Sequence, residues 1–227
     1  MKRELCTTTD GSHTIAVPEM DVLYHSKHGA VQESEHVFIQ AGLEYILPGK
    51  TRVDILEMGL GTGLNALLTW KQAENLKVHI SYHSIEAYPL EWPMVQQLNY
   101  PELIAGAKAP VQRVMETIHQ IPDGQMADIS TYFSFTPYHT TLQHFNTREH
   151  FHCIYFDAFA PEAQPELWTT EIFEKLYGMM APGGCLVTYC SKGSVRRAMV
   201  AAGWTVTKLP GPPGKREMVR ALYLPPL

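Results

Sequence analysis

Between Asp54 and Asn65 the chain reads Asp54-Ile-Leu-Glu57-Met-Gly59-Leu-Gly61-Thr62-Gly63-Leu-Asn65, a short apolar run that stops at an acid and breaks into three alternating glycines. The pattern predicts a strand, a tight turn and a helix start. Glycines at every second position let the backbone take positive φ and approach a ligand, and a helix opening after Gly63 presents free N–H groups and a positive dipole end. The dinucleotide fingerprint G-x-G-x-x-G seats a pyrophosphate beside its last glycine. Here the order is G-x-G-x-G, with Glu57 two residues ahead of Gly59. A carboxylate at that strand end repels a pyrophosphate and attracts an ammonium, so the spacing favours S-adenosyl-L-methionine over NAD.

A second acid falls where such a cofactor needs one. The stretch Lys77 to Ile85 alternates in strand fashion and ends at Glu86, 29 residues after Glu57, at the expected tip of the next strand. Glu86 is expected to accept hydrogen bonds from the two ribose hydroxyls. A third tip follows His152-Cys-Ile-Tyr-Phe156, where Asp157-Ala158-Phe159-Ala-Pro161 begins. In open α/β sheets ligands bind outside the carboxyl ends of the strands, so the three tips are expected to line one crevice.

Asp157 suits an acceptor amine. A primary alkylamine with a pKa near that of lysine, about 10.4, is protonated at neutral pH, and freeing its lone pair costs on the order of 4 kcal/mol. Phe159, Trp168 and neighbouring apolar groups favour the neutral amine by desolvation, while Asp157 orients it or takes its proton. The plainer alternative is that Asp157 only caps a loop.

Asp10-Gly11 between β-branched residues signals an N-terminal hairpin, and a helix is predicted over 31–47 with Val37, Phe38, Ala41 and Tyr45 on one face. Strands are predicted over 53–56, 78–85, 131–135, 152–156 and 185–189. Helices are predicted over 64–72, over most of 91–120 with a break near Pro101, over 166–180 ending at Pro182-Gly183-Gly184, and from a Ser194 cap to Ala202. Segments 204–209 and 218–224 read as hairpin partners. The fold expected is α/β: a mostly parallel, doubly wound sheet with an antiparallel C-terminal hairpin, a core over 51–227 and an N-terminal hairpin-plus-helix extension over 1–50 packed on it.

At 227 residues and 45% hydrophobic, with no long apolar span or signal-peptide pattern, the chain is expected to be cytoplasmic, without a membrane partner. Four cysteines lack C-x-x-C spacing, and three fall in predicted strands, so neither disulfide nor zinc is expected. Eleven histidines include no spacing that gathers three or four metal ligands, so no metal is expected. The net charge is −5, yet Lys192 to Arg220 holds seven cations against one acid, Glu217. That stretch reads either as a patch for a phosphate backbone or as a solvated face.

Five separated motifs then carry a resemblance: Tyr24-His25-Ser26-Lys-His-Gly-Ala-Val-Gln-Glu-Ser34, the Glu57-to-Asn65 turn, Asp157-Ala-Phe-Ala-Pro-Glu, Pro165-Glu-Leu-Trp168-Thr, and Lys215-Arg216-Glu217-Met218. In this order, across nearly the whole chain, they resemble the methyltransferase half of the MnmC family of bacterial tRNA-modifying enzymes. The resemblance implies a class I Rossmann-like, S-adenosyl-L-methionine-dependent enzyme that converts 5-aminomethyl(-2-thio)uridine at the tRNA wobble position to its 5-methylaminomethyl form. It further implies Tyr24 to Ser26, the turn with Thr62 and Asn65, Glu86 and Asp157 to Phe159 at cofactor positions. By the same likeness Asp157 is the active-site acid, and Phe159, Pro161, Trp168 and Lys215-Arg216-Glu217 border the substrate. Bifunctional relatives carry an FAD-dependent half. No second glycine fingerprint is present here, so flavin chemistry is expected to be absent and to come, if needed, from a separate flavoenzyme. One departure is that relatives place Gly-Asp near the adenine where this chain has Phe135-Thr136-Pro-Tyr138-His139.

Three other readings stay open. An aminopropyltransferase, or another small-amine methyltransferase, would use the same acids on a free amine. A catalytically silent tRNA-binding protein would keep the fold without needing Glu57, Glu86 and Asp157. An NAD-dependent oxidoreductase is disfavoured by the glycine spacing and Glu57.

Overall fold

The computed structural model describes residues 2–104 and 108–224. A small antiparallel sheet opens the chain: β1 (Glu4–Thr7), β2 (His13–Val17) and a short β3 (Val22–Leu23), with Thr7 opposite His13 across the Asp10-Gly11 turn. Gly11 takes φ 83°, the left-handed conformation such a turn needs.

The helix expected over 31–47 forms but is not uniform. It runs as α1 (Ala30–Ser34), a π-helical stretch Glu35–Leu43, and α2 (Glu44–Ile46). Wider π turns rotate the apolar stripe, so Val37, Phe38, Ile39 and Leu43 are buried while Tyr45 faces out beneath the Arg220 guanidinium, 3.7 Å away. Tyr45 therefore does not join the face assigned to it from a 3.6-residue period.

The main sheet has eight strands in the order β10-β11-β9-β8-β4-β5-β7-β6. They are β4 (Arg52–Met58), β5 (His79–Ile85), β6 (Ala127–Ser130), β7 (Phe133–Tyr138), β8 (Phe151–Phe156), β9 (Met180–Thr188), β10 (Thr205–Pro210) and β11 (Glu217–Leu222). β7, β5, β4, β8 and β9 are parallel, whereas β6 and the β10–β11 hairpin run antiparallel. From β4 the chain first builds outward to β5 and β7 and then returns to place β8 on the other side. The crevice of the fold thus opens between β4 and β8.

Neighbouring residues of β4 bury on opposite faces. Ile55 joins a core with Phe38, Leu67 and Tyr82, and Leu56 joins another with Phe156, Phe173 and Trp204. The first face carries the residues of 30–46, α3 (Leu64–Leu76), α4 (Trp92–Val95), α5 (Tyr100–Leu103) and α6 (Lys108–Gln120). The second carries α7 (Thr170–Tyr177) and α8 (Gly193–Ala201). This is a class I Rossmann-like, doubly wound architecture.

Three boundaries differ from expectation. The helix after Trp168 is only α7, capped by the Thr169 hydroxyl, and Pro182-Gly183-Gly184 lies inside β9 rather than ending a helix. Met180 pairs with Phe151 and Cys185 with Cys153, so the Pro-Gly-Gly segment is the bulged side of a register shift, with Gly183 at φ 74°. Ser194 is not the cap of α8, which starts after Lys192 without a side-chain cap. Finally, the strand expected over 131–135 is displaced, because Thr131-Tyr132 turns the β6–β7 hairpin. All four cysteines are free thiols, with Cys153 and Cys185 facing each other across paired strands at 3.8 Å.

Candidate active site

β4 delivers the chain to the glycine turn at the centre of the sheet. The Gly59 N–H donates to Ile85 O at 2.9 Å and the Asp157 N–H to Met58 O at 3.0 Å, which ties the three strand tips together. Gly59, Gly61 and Gly63 have φ of 91°, 51° and 76°. A side chain at any of them would also collide: a Cβ on Gly59 meets Asp157 O at 2.8 Å, on Gly61 the Tyr24 ring at 2.8 Å, and on Gly63 His119 Nε2 at 2.8 Å. The positive φ favours glycine at all three positions, and at Gly59 the obstructing atom is backbone, so space demands it as well.

The acids are arranged in two groups. Asn65, in the first turn of α3, donates from Nδ2 to Glu57 Oε1 at 3.0 Å and to Asp157 Oδ2 at 2.9 Å, bridging the two carboxyls. Glu57 also accepts from Ser84 Oγ at 3.1 Å and is fully buried. Burial pushes its carboxyl well above the usual carboxylate range, and the Asp157 charge pushes it further. For Asp157 burial raises the carboxyl to about 7, the Glu33 charge adding to the effect while Asn65 and Lys215 oppose it. Glu86 forms the other group. Its Oε2 accepts from the Gly61 N–H at 3.0 Å and its Oε1 from the Tyr88 N–H at 2.8 Å.

These elements enclose a cleft of about 1060 Å³, counting its open mouth. Tyr24, His25, Gly59, Gly61, Thr62, Asn65, Glu86, Asp157, Ala158 and Phe159 all line it, as the sequence placed them. Tyr24 and Phe159 meet edge to face at 5.2 Å. The His25 ring bonds Thr14 at 3.0 Å and lies 3.5 Å from the Thr62 hydroxyl, and burial lowers its pKa to about 4, leaving it neutral. Thr62 in turn accepts from the Tyr100 hydroxyl at 3.0 Å.

Several assigned residues stand elsewhere. Glu57 is set behind the wall and reaches the cleft through Asn65, because the residues that emerge at this strand end are Met58 and the turn itself. Gly63 underlies the turn against His119. Ser26 points its N–H at Glu33 Oε2, 2.7 Å away, and is not part of the lining. Neither are Pro161 and Trp168. The Trp168 indole is buried and donates to Phe159 O at 2.8 Å, so it braces the loop instead of facing a substrate. Thr136 is buried within β7. Lys215 is ion-paired to Glu33, Glu217 accepts from Lys208 at 2.7 Å, and Arg216 is exposed.

Sequence reasoning missed Arg3, Met20, Tyr88 and Gln164 in the lining. Arg3 arrives from β1's approach and donates to Tyr88 O at 2.6 Å and Pro89 O at 3.2 Å. No local pattern marks such a residue. Gln164 had a weak signal in its place between Pro161 and Pro165, and it accepts the Phe159 N–H at 2.9 Å. Of the basic stretch, Lys192 pairs with Glu162, Lys208 with Glu217 and Lys215 with Glu33, while Arg197 and Arg216 remain exposed. Among the described residues no group of three metal ligands converges and no helix is long and apolar enough to cross a membrane.

The fold and cleft define an α/β enzyme of the class I methyltransferase type. A side-chain-free glycine cradle, the Glu86 carboxylate beside it and the buried, unpartnered Asn65 Oδ1 fit a phosphate-free nucleoside cofactor with a charged amino-acid end. A family model described as S-adenosyl-L-methionine-dependent methyltransferase matches residues 101–223, more than half the chain. The chain belongs to this family, and S-adenosyl-L-methionine is its cofactor.

Among similar proteins are two named tRNA 5-methylaminomethyl-2-thiouridine biosynthesis bifunctional protein MnmC. That of Azoarcus sp. (strain BH72) is 30% identical over 212 residues, covering 89% of this chain and 33% of that protein. That of Ectopseudomonas mendocina (strain ymp) is 32% identical over 212 residues, covering 87% and 31%. The chain thus spans about a third of the length of these relatives. The crystal structure of MNMC2 from Aquifex aeolicus superposes with a TM-score of 0.76 at 22% identity, over 100% of this chain and 73% of that one. Spermidine synthase from Thermotoga maritima shares the fold at a TM-score of 0.55 and 10% identity, over 97% and 68%.

Proposed function

We propose that this chain methylates the primary amine of 5-aminomethyl(-2-thio)uridine at the wobble position of tRNA, giving the 5-methylaminomethyl nucleoside. The observation that carries the reading is Asp157, a carboxyl on the cleft wall with its pKa raised to about 7, set beside the glycine cradle and bonded by Asn65, in a cleft that Tyr24 and Phe159 also line. The names of the MnmC relatives support the choice of substrate.

The residues divide the work as follows. Gly59, Gly61, Thr62 and Asn65 hold the amino-acid end of the cofactor, Glu86 its ribose hydroxyls, and Tyr24 and His25 its flank. When bound, the cofactor supplies an electrophilic methyl group on a sulfonium. Asp157 accepts a proton from the substrate ammonium, a transfer that a carboxyl near 7 makes less uphill than one near 4 would. Phe159 and Tyr24 keep water from the freed lone pair, and Asn65 fixes the Asp157 carboxyl so that the nitrogen is presented in one direction. Arg197 and Arg216 lie exposed, available to the tRNA backbone. In this reading the protein works in the cytoplasm on tRNA whose aminomethyl group a separate flavoenzyme provides.

The test is transfer of labelled methyl to tRNA from cells lacking the modification, followed by nucleoside digestion and mass spectrometry. Label in 5-methylaminomethyl(-2-thio)uridine is expected. Label appearing in a free polyamine, with none in tRNA, would replace this reading by that of a small-amine enzyme.

A further inference from the structure

Away from the glycine cradle, the N-terminal segment and the β10–β11 loop meet at an ion pair between a buried Glu33 and a half-buried Lys215 that the mechanism above does not use. Glu33, in α1, is 6% exposed; its Oε2 accepts the Ser26 N–H at 2.7 Å and its Oε1 pairs with Lys215 Nζ. The Lys215 ammonium also sits 3.8 Å over the Tyr189 ring, and the Tyr189 hydroxyl donates to Ala158 O at 2.8 Å, in the segment that carries Asp157 and Phe159. Two more contacts fasten the loop. His36 Nε2 is 2.8 Å from Pro210 O, and Gly214 at φ 84° lies so close to the His28 ring that any side chain there would overlap it. Glu33 is thus connected through Lys215 and Tyr189 to the wall that bears Asp157.

We propose that Glu33 and Lys215 act as one positioning unit for methyl transfer, holding the Asp157–Phe159 wall and setting the charge that Asp157 faces. A buried carboxylate needs a partner, and Lys215 supplies it from a loop about 180 residues further along the chain. The groups that face Asp157 are Glu57 from β4, Asn65 from α3, Tyr82 from β5, Tyr189 after β9, Glu33 from α1 and Lys215 from the hairpin loop. Of these, Glu33 favours the protonated carboxyl and Lys215 the ionised one. The halves of the pair must therefore act with opposite sign. A role confined to packing predicts no such opposition.

The inference rests on the reading of Asp157 as the acid that meets the amine, but its test needs no substrate. NMR titration of the Asp157 carboxyl carbon in the full chain, free of tRNA, reads the midpoint directly. Glu33→Gln keeps an acceptor for the Ser26 N–H and should lower the midpoint by roughly half a pH unit, a threefold change in the ionisation constant. Lys215→Met leaves Glu33 unpaired and should raise it by a similar amount, and Lys215→Arg should leave it in place. Should Lys215→Met fail to fold, Glu33→Gln set against Lys215→Arg still decides. Midpoints that move in the same direction for Glu33→Gln and Lys215→Met, or a Glu33→Gln midpoint equal to that of the unaltered protein, would overturn the proposal. Because tRNA is absent, that outcome is distinct from failure of the methylation assay.

Discussion

Asp157 stores instability in exchange for chemistry. Its carboxyl ionises near 3.9 in an unfolded chain and at about 7 in the folded one, because burial and the Glu33 charge disfavour the anion. Folding is therefore least penalised below about pH 4, and the penalty grows as the pH rises through 7, where the folded carboxyl finally ionises. Asp157→Asn removes the charge and keeps an acceptor for Asn65. It should melt with the unaltered protein at pH 4 and be more stable by about 1–3 kcal/mol at pH 8. Equal melting temperatures at both pH values would contradict the burial argument. Asp157, Glu86 and the glycines were legible because each sits at a strand tip, a position that local alternation marks. Glu57 was legible as an acid but not in its depth, since only the pleat of β4 and the bridge from Asn65 turn it inward. Arg3 was invisible because its partners Tyr88 and Pro89 lie about 85 residues away, and the role of Glu33 because its ionic partner Lys215 lies 182 residues further on.

At the scale of elements, the turn between β4 and α3 is the most constrained part of the fold. Gly59 combines φ 91° with backbone Asp157 O only 2.8 Å from where a Cβ would sit, and backbone cannot step aside as a side chain can. Gly59→Ala should cost roughly 1–3 kcal/mol and weaken S-adenosylhomocysteine binding, checked by thermal melts and calorimetry. A variant that melts and binds as the unaltered protein does would show that the turn is looser than this. The strands β4, β5, β8 and β9 were readable because apolar or alternating runs mark them, and the first three end at a glycine turn or an acid. Element ends were not. The π-helical stretch, the bulge at Pro182-Gly183-Gly184 and the edge strand β6 all depend on neighbours that a local pattern does not contain.

On the scale of the molecule, the cluster of cations after Lys192 is less available than its composition suggests. Lys192, Lys208 and Lys215 are paired within the fold, half-buried Arg196 donates to Ser191 O at 3.2 Å, and Arg220 lies over Tyr45. Arg197 and Arg216 remain for an anionic partner on a protein of net charge −5. Arg216→Glu should weaken tRNA binding about three- to tenfold and flatten its salt dependence by roughly one phosphate contact, leaving S-adenosylhomocysteine affinity unchanged. Filter binding across a salt series reads both, and unaltered tRNA affinity would remove Arg216 from the interface. At the centre of the proposed reaction Asp157 serves the amine and not the cofactor. The most direct measurement pairs single-turnover methyl transfer to tRNA bearing 5-aminomethyluridine with S-adenosylhomocysteine calorimetry on Asp157→Ala. The rate should fall at least about a hundredfold while cofactor affinity stays within a few-fold; an unaltered rate, or a loss of rate matched by loss of cofactor binding, would contradict it.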